Sequence, residues 1–289
     1  MLRLNRPALI TRERLIGLGV VVMAALIGLV VGIRSLERAM TFHPVRLKPD
    51  TVSRPAGAED VWITTKDNVR LHAWYFKSLN EPSSATIIYF HGNGGNITNV
   101  AWVAEHLSAR GFNTLLLDYR GYGQSEGRPD GETSLYADGD AALSYILERR
   151  HVSPMKVVLY GQSLGTVVAT DLAARRGCGG LILESGLSSA SSVAAHALWL
   201  PRWLHFLGKN RFESARKLTN VRVPVLITHG DPDPVIPTDE ARVLFAAARE
   251  PKKLLIYPGA GHNVFGSLGD RYLDEIATFV NESLSISRQ

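Results

Sequence analysis

The feature that most constrains the fold of this chain is an apolar run that ends in the pattern Gly-x-Ser-x-Gly. The run covers 157–160, and the pattern consists of Gly161, Gln162, Ser163, Leu164 and Gly165. A helical pattern of small and apolar residues follows at 166–174. This order predicts a strand, a tight turn and a helix. We expect a strained backbone at Ser163, whose hydroxyl stands above the sheet, and glycines where side chains would collide with neighbouring strands.

Strand and helix patterns alternate through the rest of the chain. Two apolar runs at 61–64 and 70–76 flank a turn at 66–68, which predicts a β-hairpin. Six further strands are predicted at 85–90, 114–117, 157–160, 180–183, 223–228 and 253–257. Helical patterns separate most of them, as at 133–150, and a last helix is predicted at 268–284. The chain is therefore predicted to form an α/β fold, with a mostly parallel eight-stranded sheet and helices on both faces.

Three of the predicted strands end near residues that can form a proton relay. Ser163 follows one strand, Asp233 follows the strand at 223–228, and His262 follows the last strand in a glycine-rich loop. Sites in such sheets lie at the carboxyl ends of the strands. A histidine there can take the serine proton, while a carboxylate accepts its Nδ1–H and fixes its tautomer. Ser163 is therefore the candidate nucleophile, His262 the candidate base and Asp233 the candidate acid.

Two other carboxylates compete with Asp233 for the role of the acid. Asp231 stands in the same loop, and Glu184 ends the preceding strand. Turn formation explains Asp231 better, since aspartate beside proline is typical of turns. His91 and His229 each precede a glycine at the base of a loop and are interpreted as structural.

The strand at 85–90 runs into the loop His-Gly-Asn-Gly-Gly-Asn at 91–96. Small residues let the backbone approach a ligand with its N–H groups exposed. The N–H of Asn93 and the N–H of Leu164, at the start of a helix, are predicted to form an oxyanion hole. A phosphate-binding loop would need Gly-Lys-Ser/Thr, which this segment lacks. The loop at 118–127 does not match Gly-x-Gly-x-x-Gly, and we expect it to form a wall of the site.

The N-terminal part of the chain contains a run suited to crossing a membrane. Residues 15–33 carry no charge, and a helix of that length spans roughly 28 Å. A cleaved signal peptide is the alternative, but its apolar part would be shorter and would precede small residues, whereas Arg34 and Leu36 follow here. The predicted domains are a tail at 1–14, an uncleaved transmembrane anchor at 15–33 that enters the lipid bilayer, a connector at 34–57 and a globular domain at 58–289.

Four positively charged residues lie on each side of the anchor. They are Arg3, Arg6, Arg12 and Arg14 before the span, and Arg34, Arg38, Arg46 and Lys48 after it. The positive-inside rule therefore says little about orientation. The short tail favours a cytoplasmic N terminus, which predicts a single-pass membrane protein with its globular domain on the non-cytoplasmic side.

Composition argues against several other classes of protein. The chain has 289 residues, of which 45% are hydrophobic, and a formal net charge of +5. Its basic residues are scattered and not interleaved with aromatic ones, so no nucleic-acid partner is predicted. Cys178 is the only cysteine, which excludes an intrachain disulfide, and no Cys-x-x-Cys or His-Glu-x-x-His pattern predicts a metal site. No cofactor is predicted.

Residues 186–215 are predicted to form a short helical cap over the strand ends. The segment contains large apolar side chains, among them Trp199, Leu200 and Trp203. Most of these side chains are expected to pack the cap onto the domain. As a sharper hypothesis, Trp199, Leu200 and Trp203 line an acyl-chain pocket that opens toward the bilayer.

Five segments together resemble the α/β-hydrolase superfamily. They are HGNGGN at 91–96, DYRGYGQSEG at 118–127, GQSLG at 161–165, HGDPDPVIP at 229–237 and GAGHN at 259–263. Within the superfamily the chain is similar to the membrane-anchored abhydrolase-domain serine hydrolases, which include depalmitoylases and lysophospholipid or monoacylglycerol lipases. The resemblance implies Ser163 as nucleophile, Asp233 as acid, His262 as base, and the backbone N–H groups of Asn93 and Leu164 as the oxyanion hole.

The relay and the anchor together predict a membrane-anchored serine hydrolase. It would cleave acyl esters or thioesters of lipid-like or acylated substrates through an acyl-enzyme. Because histidine must be neutral to accept the serine proton, activity is expected to rise through roughly pH 6 to 8. A serine peptidase or amidase on the same fold is one alternative. A non-catalytic, membrane-tethered interaction module is the other, although the chain keeps all three relay residues.

Overall fold

The centre of the fold is a sheet of eight strands, and a separate pair of short strands lies beside it. The computed structural model describes residues 12–48, 52–80, 83, 85–198 and 209–286. The strands within these residues are β1 (His43–Pro44), β2 (Ala58–Thr64), β3 (Arg70–Phe76), β4 (Ala85–Phe90), β5 (Gly94–Gly95), β6 (Phe112–Leu117), β7 (Val157–Gln162), β8 (Gly180–Glu184), β9 (Val225–Asp231) and β10 (Lys252–Pro258).

The large sheet confirms the predicted α/β architecture. Its strand order is β10-β9-β8-β7-β4-β6-β3-β2. Neighbouring strands from β10 to β6 run parallel. The hairpin of β2 and β3 adds two antiparallel strands at the other edge. Every parallel strand therefore presents its carboxyl end at the same edge of the sheet, where the loops after β4, β7, β9 and β10 meet.

Helices cover both faces of the sheet. The helices of the described residues are α1 (Arg12–Thr41), α2 (Ala101–Ala109), α3 (Glu132–Ser144), α4 (Leu164–Arg175), α5 (Ala190–Leu198), α6 (Ser214–Leu218), α7 (Asp239–Ala247), α8 (Val264–Leu268) and α9 (Asp270–Ile286), and α1 contributes no residue to the core. One core layer contains side chains from α3, α4, α6 and α7, and the other contains side chains from α2, α8 and α9.

Strand β4 shows why the central strands read as continuous apolar runs. Ile88 and Phe90 belong to one core layer, and Ile87 and Tyr89 belong to the other. Successive side chains of a strand point to opposite faces, so a strand with helices on both faces needs apolar residues at every position.

Helix α1 contains the predicted anchor and extends beyond it to Thr41, so the first part of the predicted connector is helical. None of its residues is buried, and its mean hydropathy reaches 2.8. It is long and apolar enough to cross a bilayer, a property that it shares with signal sequences. Near its end, Glu37 accepts hydrogen bonds from the backbone N–H groups of Lys209 at 2.7 Å and Asn210 at 2.8 Å. These bonds join the helix to the domain.

Several boundaries differ from the prediction, and two of these differences have a local cause. The last helix, predicted at 268–284, is α9 at Asp270–Ile286, and the short helix α8 before it ends at Gly269, whose φ is +55°. Only glycine adopts such a backbone without strain, so the helix breaks there. Strand β9 begins at Val225, later than predicted, because Pro224 before it has no N–H to donate to the ladder.

Candidate active site

Ser163 forms the turn between β7 and α4, at φ 50° and ψ −116°. A residue other than glycine rarely adopts a positive φ, so this turn is strained. A Cβ at Gly165 would overlap the Phe90 carbonyl oxygen in the neighbouring strand β4, as expected. A Cβ at Gly161 would instead overlap the backbone of Gly165 and Thr166 in α4. Because these two positions are glycines, the backbones of the strand, the turn and the helix can pack directly against one another.

His262 lies in the loop between β10 and α8 and contacts both other candidate residues. Its Nε2 is 3.0 Å from Oγ of Ser163, and its Nδ1 is 2.7 Å from Oδ2 of Asp233. Because an ionised carboxylate only accepts hydrogen bonds, Nδ1 carries the proton and Nε2 accepts from the serine hydroxyl. The loop needs glycine at 230 beside it, since a Cβ there would overlap the carbonyl oxygen of Gly261. The structure therefore brings Ser163, His262 and Asp233 into one chain of hydrogen bonds.

The surroundings of Asp233 favour its ionised form. Its side chain is fully buried, and Oδ1 accepts hydrogen bonds from the N–H groups of Val235 at 2.7 Å and Ile236 at 3.0 Å. Burial alone would raise the pKa of Asp233. Hydrogen bonds from two histidines and two backbone N–H groups outweigh burial and hold the pKa well below its usual range. A negative charge beside Nδ1 is what orients the ring of a catalytic histidine and stabilises its imidazolium.

His229 takes part in this arrangement, which the sequence did not indicate beyond a structural role. It is fully buried, and its Nε2 lies 3.1 Å from Oδ2 of Asp233 and 2.9 Å from the carbonyl oxygen of Ile236. Both neighbours are acceptors, so Nε2 carries the proton. His229 therefore contacts the same carboxylate oxygen, Oδ2, as His262. A histidine at the end of the strand that precedes the acid was the only sequence signal.

The two alternative carboxylates are engaged elsewhere. Asp231 accepts a hydrogen bond from Oγ1 of Thr238 at 3.1 Å. Glu184 is fully buried below Ser163, where it accepts hydrogen bonds from the hydroxyls of Tyr160 and Tyr272. Within the described part of the chain, no hydrogen bond joins either carboxylate to the ring of His262. Geometry thus favours Asp233 over both rivals.

Asn93 and Leu164 belong to two segments that lie next to Ser163. Leu164 is the first residue of α4, where backbone N–H groups lack partners within the helix. Asn93 belongs to the loop at 91–97, which leads from β4 into the 3₁₀ turn Ile97–Asn99 and is called the oxyanion loop hereafter, after the role predicted for Asn93. A Cβ built on Gly92 would lie 3.5 Å from Cβ of Ser163, so this loop passes beside the nucleophile. The loop that carries Asn93 and the start of α4 therefore both lie beside the nucleophile.

The loop at 118–127 braces the oxyanion loop. Oδ1 of Asp118, which is buried, accepts the N–H of Ile97 at 2.9 Å, and the hydroxyl of Tyr119 donates to the carbonyl oxygen of His91 at 2.9 Å. Burial would raise the pKa of Asp118, but two neighbouring histidines and the N–H of Ile97 lower it. This loop therefore supports one wall of the site, at both ends of the oxyanion loop.

The predicted acyl-chain residues Trp199, Leu200 and Trp203 lie outside the described residues. The described parts of the predicted cap are the segment up to Leu198, which includes α5, and the residues from 209 onward. In the described part of the chain, no group of three or more His, Cys, Asp or Glu side chains could hold a metal ion. Cys178 is buried away from the relay, and burial raises the pKa of its thiol to about 12.

The chain has relatives of nearly its own length. A protein-family model described as serine aminopeptidase, S33, matches residues 81–217, a segment that includes Ser163. The uncharacterized protein Rv2307c of Mycobacterium tuberculosis is 36% identical over 277 residues, which is 94% of this chain and 97% of that protein. The uncharacterized protein YfhR of Escherichia coli is 33% identical over 246 residues, 80% of this chain and 83% of that protein.

Solved structures of similar fold include two enzymes of lipid and ester chemistry. The esterase Pf2001 of Pyrococcus furiosus has a TM-score of 0.64 and 21% identity, covering 84% of this chain and 98% of the esterase. The monoacylglycerol lipase of Paleococcus ferrophilus has a TM-score of 0.58 and 19% identity, covering 74% of this chain and 99% of the lipase. At this identity the likeness establishes the fold. The fold, the geometry of the three side chains and the family match together show that the chain belongs to the α/β-hydrolase superfamily.

Proposed function

We propose that this protein is a membrane-anchored serine hydrolase that cleaves acyl esters or thioesters of lipid-like or acylated substrates. The observation that carries the proposal is the ring of His262, which lies 3.0 Å from Oγ of Ser163 and 2.7 Å from the carboxylate of Asp233. That arrangement suits a serine whose proton is removed as it attacks.

In the proposed mechanism, Oγ of Ser163 attacks the acyl carbonyl while its proton moves to Nε2 of His262. The backbone N–H groups of Asn93 and Leu164 stabilise the oxyanion of the tetrahedral intermediate. The intermediate collapses to an acyl-enzyme, and His262 returns the proton to the departing alcohol or thiol. Water then attacks the acyl-enzyme, again with His262 as base, and releases the acid. Asp233 holds the ring in the required tautomer throughout.

The substrate class rests on the combination of relay and anchor. An anchor at 15–33 would hold the domain at a bilayer, where acyl chains are concentrated. Hydrolases whose fold resembles this one include an esterase and a monoacylglycerol lipase. The side chains proposed to line the acyl pocket are Trp199, Leu200 and Trp203. Replacing Trp199 and Trp203 with alanine should then shift the preferred acyl-chain length, and an unchanged preference would remove this part of the proposal.

The decisive experiment is labelling of the full-length protein, in detergent micelles, with a fluorophosphonate probe. The wild type should be labelled and Ser163→Ala should not, since the probe reacts with an activated serine. Hydrolysis of p-nitrophenyl esters and acyl thioesters of graded length then identifies the preferred leaving group. No labelling of a folded wild type would overturn the proposal and favour a non-catalytic interaction module.

The alternative function, a serine peptidase, is supported by one specific observation: the matching family model is described as a serine aminopeptidase. Peptides and esters use the same relay, so the relay does not separate them. The two activities are separated by comparing kcat/KM for matched acyl esters and aminoacyl anilides. We expect esters or thioesters to give the larger kcat/KM, and the opposite order would establish the peptidase.

Membrane attachment and orientation are tested separately. An uncleaved anchor predicts that the full-length chain stays in the membrane fraction after an alkaline wash. A reporter enzyme that is active only outside the cytoplasm, fused after Gln289, should be active if the domain is non-cytoplasmic. A shortened mature chain in the soluble fraction would identify α1 as a signal peptide instead.

A further inference from the structure

Directly after the anchor helix, the chain pairs with the oxyanion loop. Residues 42–47, hereafter the juxtamembrane segment, follow the end of α1. Strand β1 in this segment pairs in parallel with β5 in the oxyanion loop, with His43 opposite Gly94 and Pro44 opposite Gly95. No sequence pattern predicts this pairing, because a two-residue strand has no periodicity to detect.

The side chain of Asn93 is held by this segment. Its Oδ1 accepts the backbone N–H of His43 at 3.0 Å and the hydroxyl of Tyr122 at 3.2 Å. Its Nδ2 lies 3.4 Å from Nδ1 of His43. Nε2 of His43 lies 3.0 Å from the carbonyl oxygen of Ala39 in α1, so Nε2 carries the proton and Nδ1 can accept from Asn93. A chain of hydrogen bonds therefore runs from the end of the anchor helix, through His43, to Asn93.

Further contacts fix the juxtamembrane segment against the domain. Phe42 is buried in the core. The carbonyl oxygen of Val45 accepts hydrogen bonds from Nδ2 of Asn96 at 3.2 Å and from the N–H of Gly123 at 3.0 Å. The N–H of Leu47 donates to the carbonyl oxygen of Gly123 at 2.9 Å. The segment is thus bonded to both loops that form this wall of the site.

We infer that the juxtamembrane segment is part of the active site, with His43 as a positioning residue that acts through Asn93. The inference rests on the proposed function, in which the backbone N–H of Asn93 stabilises the oxyanion. With the Asn93 side chain held by His43 and Tyr122, rotation of the loop at that residue is restricted, and its N–H keeps a fixed direction beside Ser163. Such a donor is effective only within about 3 Å of the oxyanion, and a displacement of about 1 Å can cost on the order of 100-fold in rate.

The test uses full-length variants in detergent micelles. His43→Pro removes the N–H that Asn93 accepts, and residue 43 already precedes Pro44, where an extended backbone is favoured. His43→Ala keeps that N–H and removes only the ring. We expect His43→Pro to lower kcat for a short-chain p-nitrophenyl ester by about 10- to 100-fold with KM nearly unchanged, and His43→Ala to lower it less. Arg54→Pro, at an exposed pre-proline position in the same connector, is the matched control and should behave as wild type.

A double-variant cycle separates positioning from general destabilisation. Asn93→Ala keeps the backbone donor but removes the amide that His43 holds. If His43 acts through that amide, the double variant with His43→Pro should be no slower than the slower single variant. Losses that multiply, or an unchanged kcat in His43→Pro, would overturn the inference. If His43→Pro does not fold, His43→Ala and Tyr122→Phe replace it, and each must lower kcat without changing the melting temperature.

The rate of fluorophosphonate labelling distinguishes this inference from the proposed function. The probe reports on Ser163 whatever the natural substrate is. A wild type that labels, with His43→Pro labelling equally fast, overturns the role of His43 and leaves the proposed function standing. A wild type that neither labels nor hydrolyses esters overturns the proposed function, and the inference about His43 with it.

Discussion

Asp233 and Glu184 are both buried carboxylates beside the candidate site, one just after β9 and the other at the end of β8, yet their surroundings shift their pKa values in opposite directions. Asp233 accepts from two histidine rings and two backbone N–H groups, which lower its pKa despite burial. Glu184 accepts mainly from neutral tyrosine hydroxyls and one distant backbone N–H, so burial dominates and raises its pKa. The partners of a buried carboxylate therefore decide the direction in which its pKa shifts.

The contrast assigns different tasks to the two regions. A carboxylate that stays ionised can polarise His262, and Asp233 touches that ring. Glu184 instead joins elements below the site: its carboxyl accepts from the N–H of Phe265 in α8 at 3.3 Å, and its backbone carbonyl accepts the N–H of Ser163 at 2.8 Å. Asp233 thus belongs to the chemistry, and Glu184 belongs to the framework that holds the nucleophile and the His262 loop in register.

The largest effect should come from removing the charge of Asp233. Asp233→Asn keeps the shape but loses the acceptor that selects the Nδ1–H tautomer, so we expect kcat to fall by about 10⁴-fold with little change in KM. Glu184→Gln, the matched control, should change kcat by no more than about threefold, since both substituents accept a hydrogen bond from tyrosine. Steady-state kinetics on one ester decides between them, and equal losses in the two variants would refute the division of tasks.

The next effect concerns stability. Glu184→Ala leaves the hydroxyls of Tyr160 and Tyr272 and the N–H of Phe265 without their acceptor, which should lower the free energy of unfolding by about 3 kcal/mol. Glu184→Gln keeps an acceptor oxygen and should cost about 1 kcal/mol or less. Chemical denaturation at pH 5 measures both. If alanine and glutamine were equally tolerated, the tyrosine cluster would not depend on residue 184.

A smaller effect is the pH dependence of stability, which should have opposite signs at the two carboxylates. The raised pKa of Glu184 means that the folded state holds its proton more tightly, so its contribution is complete below pH 4.5 and is lost as pH rises above that value. The lowered pKa of Asp233 stabilises the folded state above about pH 4, and this stability is lost as pH falls. Between pH 4.5 and 8, the unfolding free energy of the wild type should therefore fall relative to that of Glu184→Gln. If it rises relative to that of Glu184→Gln, burial does not raise the pKa of Glu184.

The overall fold could be predicted because its signals are local. Apolar runs bounded by glycine- and proline-rich loops mark strands that are buried on both faces, as in β4. The order of Ser163, Asp233 and His262 could also be predicted, since parallel strands bring their carboxyl ends to one edge. Their roles stay proposals, but the structure brings the three side chains within hydrogen-bonding distance.

Two contacts around the site could not be predicted in this way. His43 and Asn93 are 50 positions apart, and His229 meets Asp233 only because the loop after β9 folds back over the strand end. Neither pair leaves a period or a motif in the sequence. Hydrogen bonds of this kind depend on how loops close over a finished sheet, so they become visible only with the tertiary structure.

The smallest predicted effect addresses the choice between neighbouring aspartates, which the sequence left open. Asp231 is exposed and accepts one hydrogen bond from Thr238, whereas Asp233 is buried against two histidines. Asp231→Ala should therefore lower the free energy of unfolding by about 1 kcal/mol or less and change kcat by no more than about twofold. Paired kinetics of Asp231→Ala and Asp233→Ala on the same ester measure the contrast directly. A loss in Asp231→Ala comparable to that in Asp233→Ala would mean that the two carboxylates share the work of orienting His262. Because Asp231 contributes to the turn that presents Asp233, a loss of intermediate size with an unchanged pH profile would be a positioning effect, while a displaced pH profile would require direct contact with the ring.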